Sequence, residues 1–244
     1  AYRAARRAGR ASRAMAAPTV PSRSVLLAQR NAVRDHAYLS PSAGTVRTTE
    51  EIGRTLKHCD HETNHAIAVA GPLEGKERHL AVDPYVLGVW LGDGHTNAPM
   101  MTCGHQDVEI IEQVRTAGYP VRLYQTTKPG CAPYGIGGSF RVGLKAYDLL
   151  GHKRIPSEYL RASVDQRLAL LQGLMDTDGT VDARGQCELL LTNRTLIDDA
   201  HELILSLGIK ATVRTGRAKL NGQDYGEKYR IKFLTDLPVF RLDR

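Results

Sequence analysis

Two short, almost uniformly apolar stretches dominate the pattern of the chain, and each stops at an Asp-Gly. In the first, Asp83-Pro84 offers an N-cap and a first-turn proline. Tyr85-Val86-Leu87-Gly88-Val89-Trp90-Leu91-Gly92 then runs to Asp93-Gly94, which predicts a helix with a glycine terminator. In the second, Ser163 and Gln166 make a capping box, and the helix continues through Leu170 and Leu174 to Asp178-Gly179. Asp93 and Asp178 stand 85 residues apart, and the pattern downstream of each also recurs. A strand comes next, Met100-Met101-Thr102 or Glu188-Leu189-Leu190-Leu191-Thr192. An amphipathic helix succeeds it, whose second copy spaces Leu196, Ile197, Ala200, Leu203, Ile204 and Leu207 helically. Both helices end at glycine, Gly118 or Gly208, and lead into a strand, Val121-Arg122-Leu123-Tyr124 or Ala211-Thr212-Val213-Arg214. A closing strand is expected at Phe140-Arg141-Val142 in one unit and at Tyr229-Arg230-Ile231 in the other.

Upstream the pattern weakens. Thr48-Thr49-Glu50-Glu51 predicts a capped short helix through Leu56, and Ala66-Ile67-Ala68-Val69-Ala70 a short strand ended by Gly71-Pro72. Residues 1–47 read as a basic, disordered or poorly packed arm, rich in Ala, Arg, Ser and Pro, with one apolar patch at Val25-Leu26-Leu27. The expected organisation is therefore arm 1–47, connecting module 48–82, first repeat 83–162 and second repeat 163–244.

Charge changes this picture less than its total suggests. The net charge is +7 over 244 residues, but residues 1–34 hold eight arginines and no acid. The remainder carries 25 basic and 26 acidic residues, so any affinity of the body for nucleic acid rests on where charges sit. Cys59, Cys103, Cys131 and Cys187 form no C-x-x-C pair. They read as buried, reduced thiols rather than a disulfide or zinc framework. No apolar run is long enough to span a bilayer and no signal-peptide pattern opens the chain, which points to a cytoplasmic protein without a membrane role.

Candidate chemistry lies at the helix ends. Gly88 and Gly92 share one face of the first helix, and Gly173 and Thr177 occupy the matching positions of the second. Small residues at that spacing let two backbones approach closely. Packing along that seam sets Asp93 and Asp178 side by side. Aspartate at a helix C-terminus opposes the macrodipole, and two such carboxylates repel each other. Divalent cations relieve both, and hard carboxylate oxygens suit Mg²⁺ (or Mn²⁺) and metal-assisted phosphodiester hydrolysis. The alternative is that each Asp-Gly is only a turn signal.

Val86-Leu87-Gly88-Val89-Trp90-Leu91-Gly92-Asp93-Gly94 resembles the first LAGLIDADG motif of the DOD-type homing endonucleases. Leu171-Gln172-Gly173-Leu174-Met175-Asp176-Thr177-Asp178-Gly179 resembles the second. The resemblance covers residues 48–242. It implies an α+β fold of two pseudo-twofold-related αββαββα repeats packed through the motif helices. It also implies metal at Asp93 and Asp178, with Asp176 structural because Leu91 takes its place in the first motif. Lys153-Arg154-Ile155-Pro156 is similar to the Lys-x-Ile-Pro element of intein endonucleases, which makes Lys153 an accessory catalytic candidate. Lys145 is a weaker alternative, and Lys232 is the second-half candidate, with Gly143 expected at the matching position of the first. The runs 64–73 and 238–242 are similar to segments of bacterial inteins, especially those hosted in replicative DNA helicases.

The resemblance further implies a sheet laid in the DNA major groove of a long site, bound by a monomer. Alternation assigns Arg122 and Tyr124, Arg141, Lys210, Thr212 and Arg214, and Arg230 and Lys232 to the polar face. Glu188 interrupts that face, either accepting from cytosine or facing solvent. An ordinary amphipathic sheet with a wet face is the alternative. His61-Glu62-Thr63-Asn64-His65 matches a zinc-protease pattern, but Thr63 and Asn64 are poor helix formers and a β-prone run follows, so loop histidines are expected. With Ala1 and Arg244 at its ends, and Thr55-Leu56-Lys57-His58 in a predicted helix, the chain is not expected to splice itself. The readings in competition are a double-strand DNA endonuclease of intein homing, a cleavage-dead DNA- or RNA-binding remnant, and part of a splicing element that needs flanking segments.

Overall fold

The computed structural model describes residues 46–57, 63–65, 70–126 and 129–242. Most of the arm, Cys59, His61-Glu62 and residues 66–69 of the expected strand lie outside them. Helix α1 (Thr49–Arg54) has the expected capping box, Thr48 accepting from Glu51 N–H at 3.1 Å and Glu51 from Thr48 N–H at 2.8 Å. Thr63 bridges to Lys57 and His65 contacts the Thr55 hydroxyl at 2.7 Å, so the described part of the His-Glu pattern is not helical.

The first half contains α2 (Pro84–Asp93), β1 (Met100–Gly104), α3 (Glu109–Thr116), β2 (Val121–Leu123), β3 (Cys131–Ile136), α4 (Phe140–Ala146) and α5 (Ser157–Leu160). The second contains α6 (Val164–Asp178), β4 (Gly179–Val181), β5 (Cys187–Leu191), α7 (Arg194–Ser206), β6 (Ala211–Leu220) and β7 (Gln223–Phe233). The antiparallel sheets run β1-β3-β2 and β4-β5-β7-β6. A single bridge, Gly94 to Met101, takes the place that β4 fills beside β5, so both sheets share one topology. No regular helix follows β7 among the described residues. The fold is α+β.

One strand expectation is corrected. Phe140-Arg141-Val142 lies in helix α4, with Phe140, Gly143 and Leu144 buried at helical spacing and Val142 69% exposed. The first-half counterpart of β7 is β3, which contains Pro133 and Gly135. Proline is tolerated in this central strand because its carbonyl faces β2, accepting from Tyr124 N–H at 2.9 Å where that strand ends. In register, Gly135 rather than Gly143 therefore corresponds to Lys232.

Helices α2 and α6 form the centre of the core. Tyr85 through Leu91 are all buried, so α2 is apolar on every side, as a helix walled in by other elements must be. The connecting segment straps the second half before the first begins. Arg167, 2% exposed, donates to the Leu73 and Ala162 carbonyls and to both Ser206 oxygens, which satisfies a charge too costly to bury alone. No described helix is long and apolar enough to cross a membrane.

Candidate functional site

The site is built by the closest contact between α2 and α6. A Cβ on Gly88 would overlap the Leu170 carbonyl oxygen and lie 3.0 Å from Gly173 Cα. One on Gly173 would overlap the Tyr85 carbonyl and lie 2.7 Å from Val89 N. One on Gly92 would overlap the Thr177 hydroxyl and lie 2.9 Å from Asp178 Oδ2. The seam read from the small residues is thus the contact itself, and it carries the Asp178 carboxylate to the end of α2, beside Asp93. Thr177 turns its hydroxyl inward to the Gly173 and Leu174 carbonyls, each at 3.0 Å, so it adds bulk but no unmet polar group.

The electrostatics are set by that placement. Burial, and then the charge of Asp93, push the Asp178 carboxyl up to about 6, with Lys153 opposing. Lys153 enters from the loop after α4. Its ammonium donates to the carbonyls of Leu91 at 3.0 Å, Gly92 at 3.0 Å and Gly94 at 2.7 Å, and lies 5.2 Å from the centroid of the Trp90 ring. Burial lowers its pKa to about 8 against the pull of Asp178 and Asp93. Three features that the sequence did not single out hold it there. Asn193, the N-cap of α7, donates to the Lys153 carbonyl at 3.1 Å; Asp199 accepts from Ile155 N–H at 2.8 Å; Trp90 donates from its indole to Ala98 O at 2.9 Å. An asparagine just ahead of an apolar helical run is an N-cap signal that could have found Asn193; the other two contacts have no local signal. A cavity of about 830 Å³ opens here, lined by Gly92, Thr96, Lys153, Asp178, Asn193 and Thr195 among others.

Asp93, Asp178 and Lys153 thus come together, while Lys232 and Lys145 do not join them. Lys232 sits on the open face of the second sheet, 3.2 Å from Glu188, and lines a second cavity of about 830 Å³ with Lys210, Thr212 and Arg214. Lys145 is exposed on α4. Arg230 approaches the same Glu188 at 2.6 Å. Tyr229, Ile231 and Phe233 face the core, so the alternation along β7 is as read. In the first half Arg122 stacks over Tyr124, 5.4 Å from its centroid, and Arg141 reaches the same hollow of about 330 Å³ from helix α4 rather than from a strand.

Asp176 is fully buried. It accepts from Tyr85 O–H at 2.9 Å and from the N–H groups of Arg241 at 3.1 Å and Leu242 at 3.2 Å, tying the chain after β7 to the helix pair. Its role is structural. Cys103 and Cys187 are buried free thiols and Cys131 is partly buried. Among the described residues, no group of three or more His, Cys, Asp or Glu side chains converges as a metal cage. The donor set of Asp93 and Asp178 fits a hard divalent cation that keeps water and phosphate as its other ligands.

Comparison with known proteins adds three likenesses and a family match. The LAGLIDADG-like domain family matches residues 165–235. The replicative DNA helicase DnaB of Mycobacterium intracellulare is 37% identical over 201 residues, 82% of this chain and 32% of the helicase. The homothallic switching endonuclease of Saccharomyces cerevisiae is 26% identical over 187 residues, 64% of this chain and 32% of that protein. The chain thus spans about a third of each. Mesophilic variants of the homing endonuclease I-DmoI align with a TM-score of 0.42 at 11% identity, covering 63% of this chain and 88% of theirs.

Proposed function

We propose, from the match of residues 165–235 to the LAGLIDADG-like domain family and from the geometry of the paired helix ends, that the protein is a site-specific, double-strand DNA endonuclease of intein homing. The observation that carries the reading is the convergence of two acid-tipped helices at one point. Their C-terminal dipole ends and the Asp93 and Asp178 carboxylates add up to a concentrated negative potential, which one lysine offsets only in part. When bound there, Mg²⁺ or Mn²⁺ supplies Lewis-acid polarisation of the scissile phosphate and charge neutralisation at the leaving oxygen.

The chain's own residues do the rest. Asp93 and Asp178 would hold the cation, the Gly88–Gly173 seam fixes their separation, and Lys153 balances the end of α2. The open sheet faces, with Arg122 and Tyr124 on one side and Thr212, Arg214, Arg230 and Lys232 on the other, orient the duplex. The intein context is supported by the matches: one stretch is similar to about a third of a helicase and about a third of an endonuclease, as expected of a mobile insert.

The test is incubation of a plasmid carrying the uninterrupted host-gene site with the protein, in Mg²⁺ and in chelator. Linear product in Mg²⁺ alone, lost in Asp93→Asn and Asp178→Asn while gel-shift binding persists, is the expected result. Binding without a cut in any divalent metal sinks the reading and leaves the cleavage-dead remnant.

A further inference from the structure

The open face of the second sheet contains an ion-paired trio that the endonuclease reading leaves unexplained. Cross-strand register puts Thr180, Glu188, Lys232 and Thr212 in one row over four strands, with Leu190, Arg230 and Arg214 in the next. Glu188 therefore stands within the basic ribbon. Its Oε1 lies 2.6 Å from Arg230 Nε and its Oε2 3.2 Å from Lys232 Nζ. The three side chains are only 22–38% exposed, so water screens the trio less than an ordinary surface pair. The contact is close but incomplete. Arg230 Nε is shielded from solvent and has no hydrogen-bond acceptor, because its N–H is not aimed at the carboxylate oxygen beside it. An unused donor is left on this face.

The described residues of the first half contain no such device. By register, Met100, Pro133 and Gly135 stand where the second half has Glu188, Arg230 and Lys232. The Tyr124 ring covers Gly135, its nearest atom 2.7 Å from where a Cβ would sit. The trio is therefore not a requirement of the sheet architecture.

We propose that Glu188 is a specificity-determining residue that withholds Arg230 and Lys232 from phosphates on arbitrary duplex DNA. The pair is released where a G·C base pair offers what the trio lacks. Guanine presents two acceptors to the cations, and the cytosine amino group presents a donor to the carboxylate. On any other DNA, the cations remain neutralised by their own acid. This rests on the reading of the protein as a DNA-binding endonuclease.

The experiment uses the full chain and a duplex of about 30 base pairs built from A·T pairs alone, titrated from low to moderate salt. Releasing two cations onto phosphates steepens the slope of log K against log salt by up to about 1.8, since each phosphate contact contributes about 0.9. Glu188→Gln is expected to steepen the slope in that way and to tighten binding to that duplex about tenfold. Adding Arg230→Gln and Lys232→Gln to it is expected to restore the wild-type slope. Glu188→Thr, which keeps a strand-forming side chain, is expected to repeat the effect, and thermal unfolding checks that each variant folds. Wild type that binds with a slope unchanged in both Glu188 variants overturns the proposal alone. Wild type that binds no duplex at low salt overturns the endonuclease reading and this proposal with it.

Discussion

Lys153 illustrates how hydrogen-bond capacity limits a residue's role. An ammonium has three donors, and here all three meet carbonyls of Leu91, Gly92 and Gly94. None is left to move a proton or to grip a phosphate while this arrangement persists. The cation instead closes the C-terminus of α2, where the dipole and Asp93 both concentrate negative charge. Lys153→Met is predicted to speed amide exchange at Gly94 about tenfold in the protein without DNA or metal, for a loss of about 1–2 kcal/mol. Lys153→Arg should not restore protection, because a planar guanidinium cannot form the same tripod. Unchanged exchange alongside lost cleavage would return the lysine to the chemistry.

Asp178 yields a prediction in pH. Its folded pKa, about 6, is raised above the ordinary 3.8 by burial and by Asp93. A raised carboxyl favours the folded state while protonated, so this stabilisation is complete below about pH 4 and is lost as pH climbs through 6. Asp178→Asn is accordingly expected to stabilise the metal-free protein at pH 8 by about 1–3 kcal/mol and to leave it unchanged at pH 4. Thermal unfolding at the two pH values measures this. An equal effect at both would mean that neither burial nor Asp93 raises the Asp178 carboxyl in the folded protein.

Among the elements, the α2–α6 seam makes the sharpest demand. A methyl on Gly88 or Gly173 collides with backbone that no rotamer change can move. Alanine gains about 1 kcal/mol of helix propensity at such a site, yet forcing the helices apart is predicted to reverse that to a net loss of about 1–3 kcal/mol. Gly53→Ala in α1 meets nothing within 4 Å and serves as the control, expected to be neutral or stabilising. A melting temperature for Gly88→Ala or Gly173→Ala at or above wild type would sink the close-packed seam.

This seam was legible because its signals are local and repeated: a cap, an apolar run, small residues four apart and a terminating Asp-Gly. Helix α4 was not. Seven residues containing a glycine give too little periodicity to separate a helix from a strand, and β3 hides behind Pro133 and Gly135, which argue against a strand until its neighbours are known. The trio at Glu188 depends on which strand lies beside β5, and β7 is far away in sequence. Asn193 and Asp199 similarly support the Lys153 loop across the boundary between the halves. Chemistry set by long-range register was the part the sequence left open.

At the scale of the molecule, equal topology meets unequal surfaces. The first half presents Arg122, Tyr124 and Arg141 around a small hollow, and the second a longer ribbon with Arg214, Arg230 and Lys232. The β6–β7 hairpin reaches ten and eleven residues, against three and six for β2 and β3. Strands advance about 3.3 Å per residue, so on a duplex bound as proposed the second sheet would track several more base pairs than the first. If both sheets flank the helix pair along one groove, their contacts fall on opposite sides of the cut. Arg122→Gln should then weaken hydroxyl-radical protection over the shorter arm of the footprint, and Arg214→Gln over the longer arm, each leaving the other intact. Protection lost over the same arm in both variants would mean that the sheets do not share a groove, and the two acid-tipped helices would then not straddle the DNA they are proposed to cut.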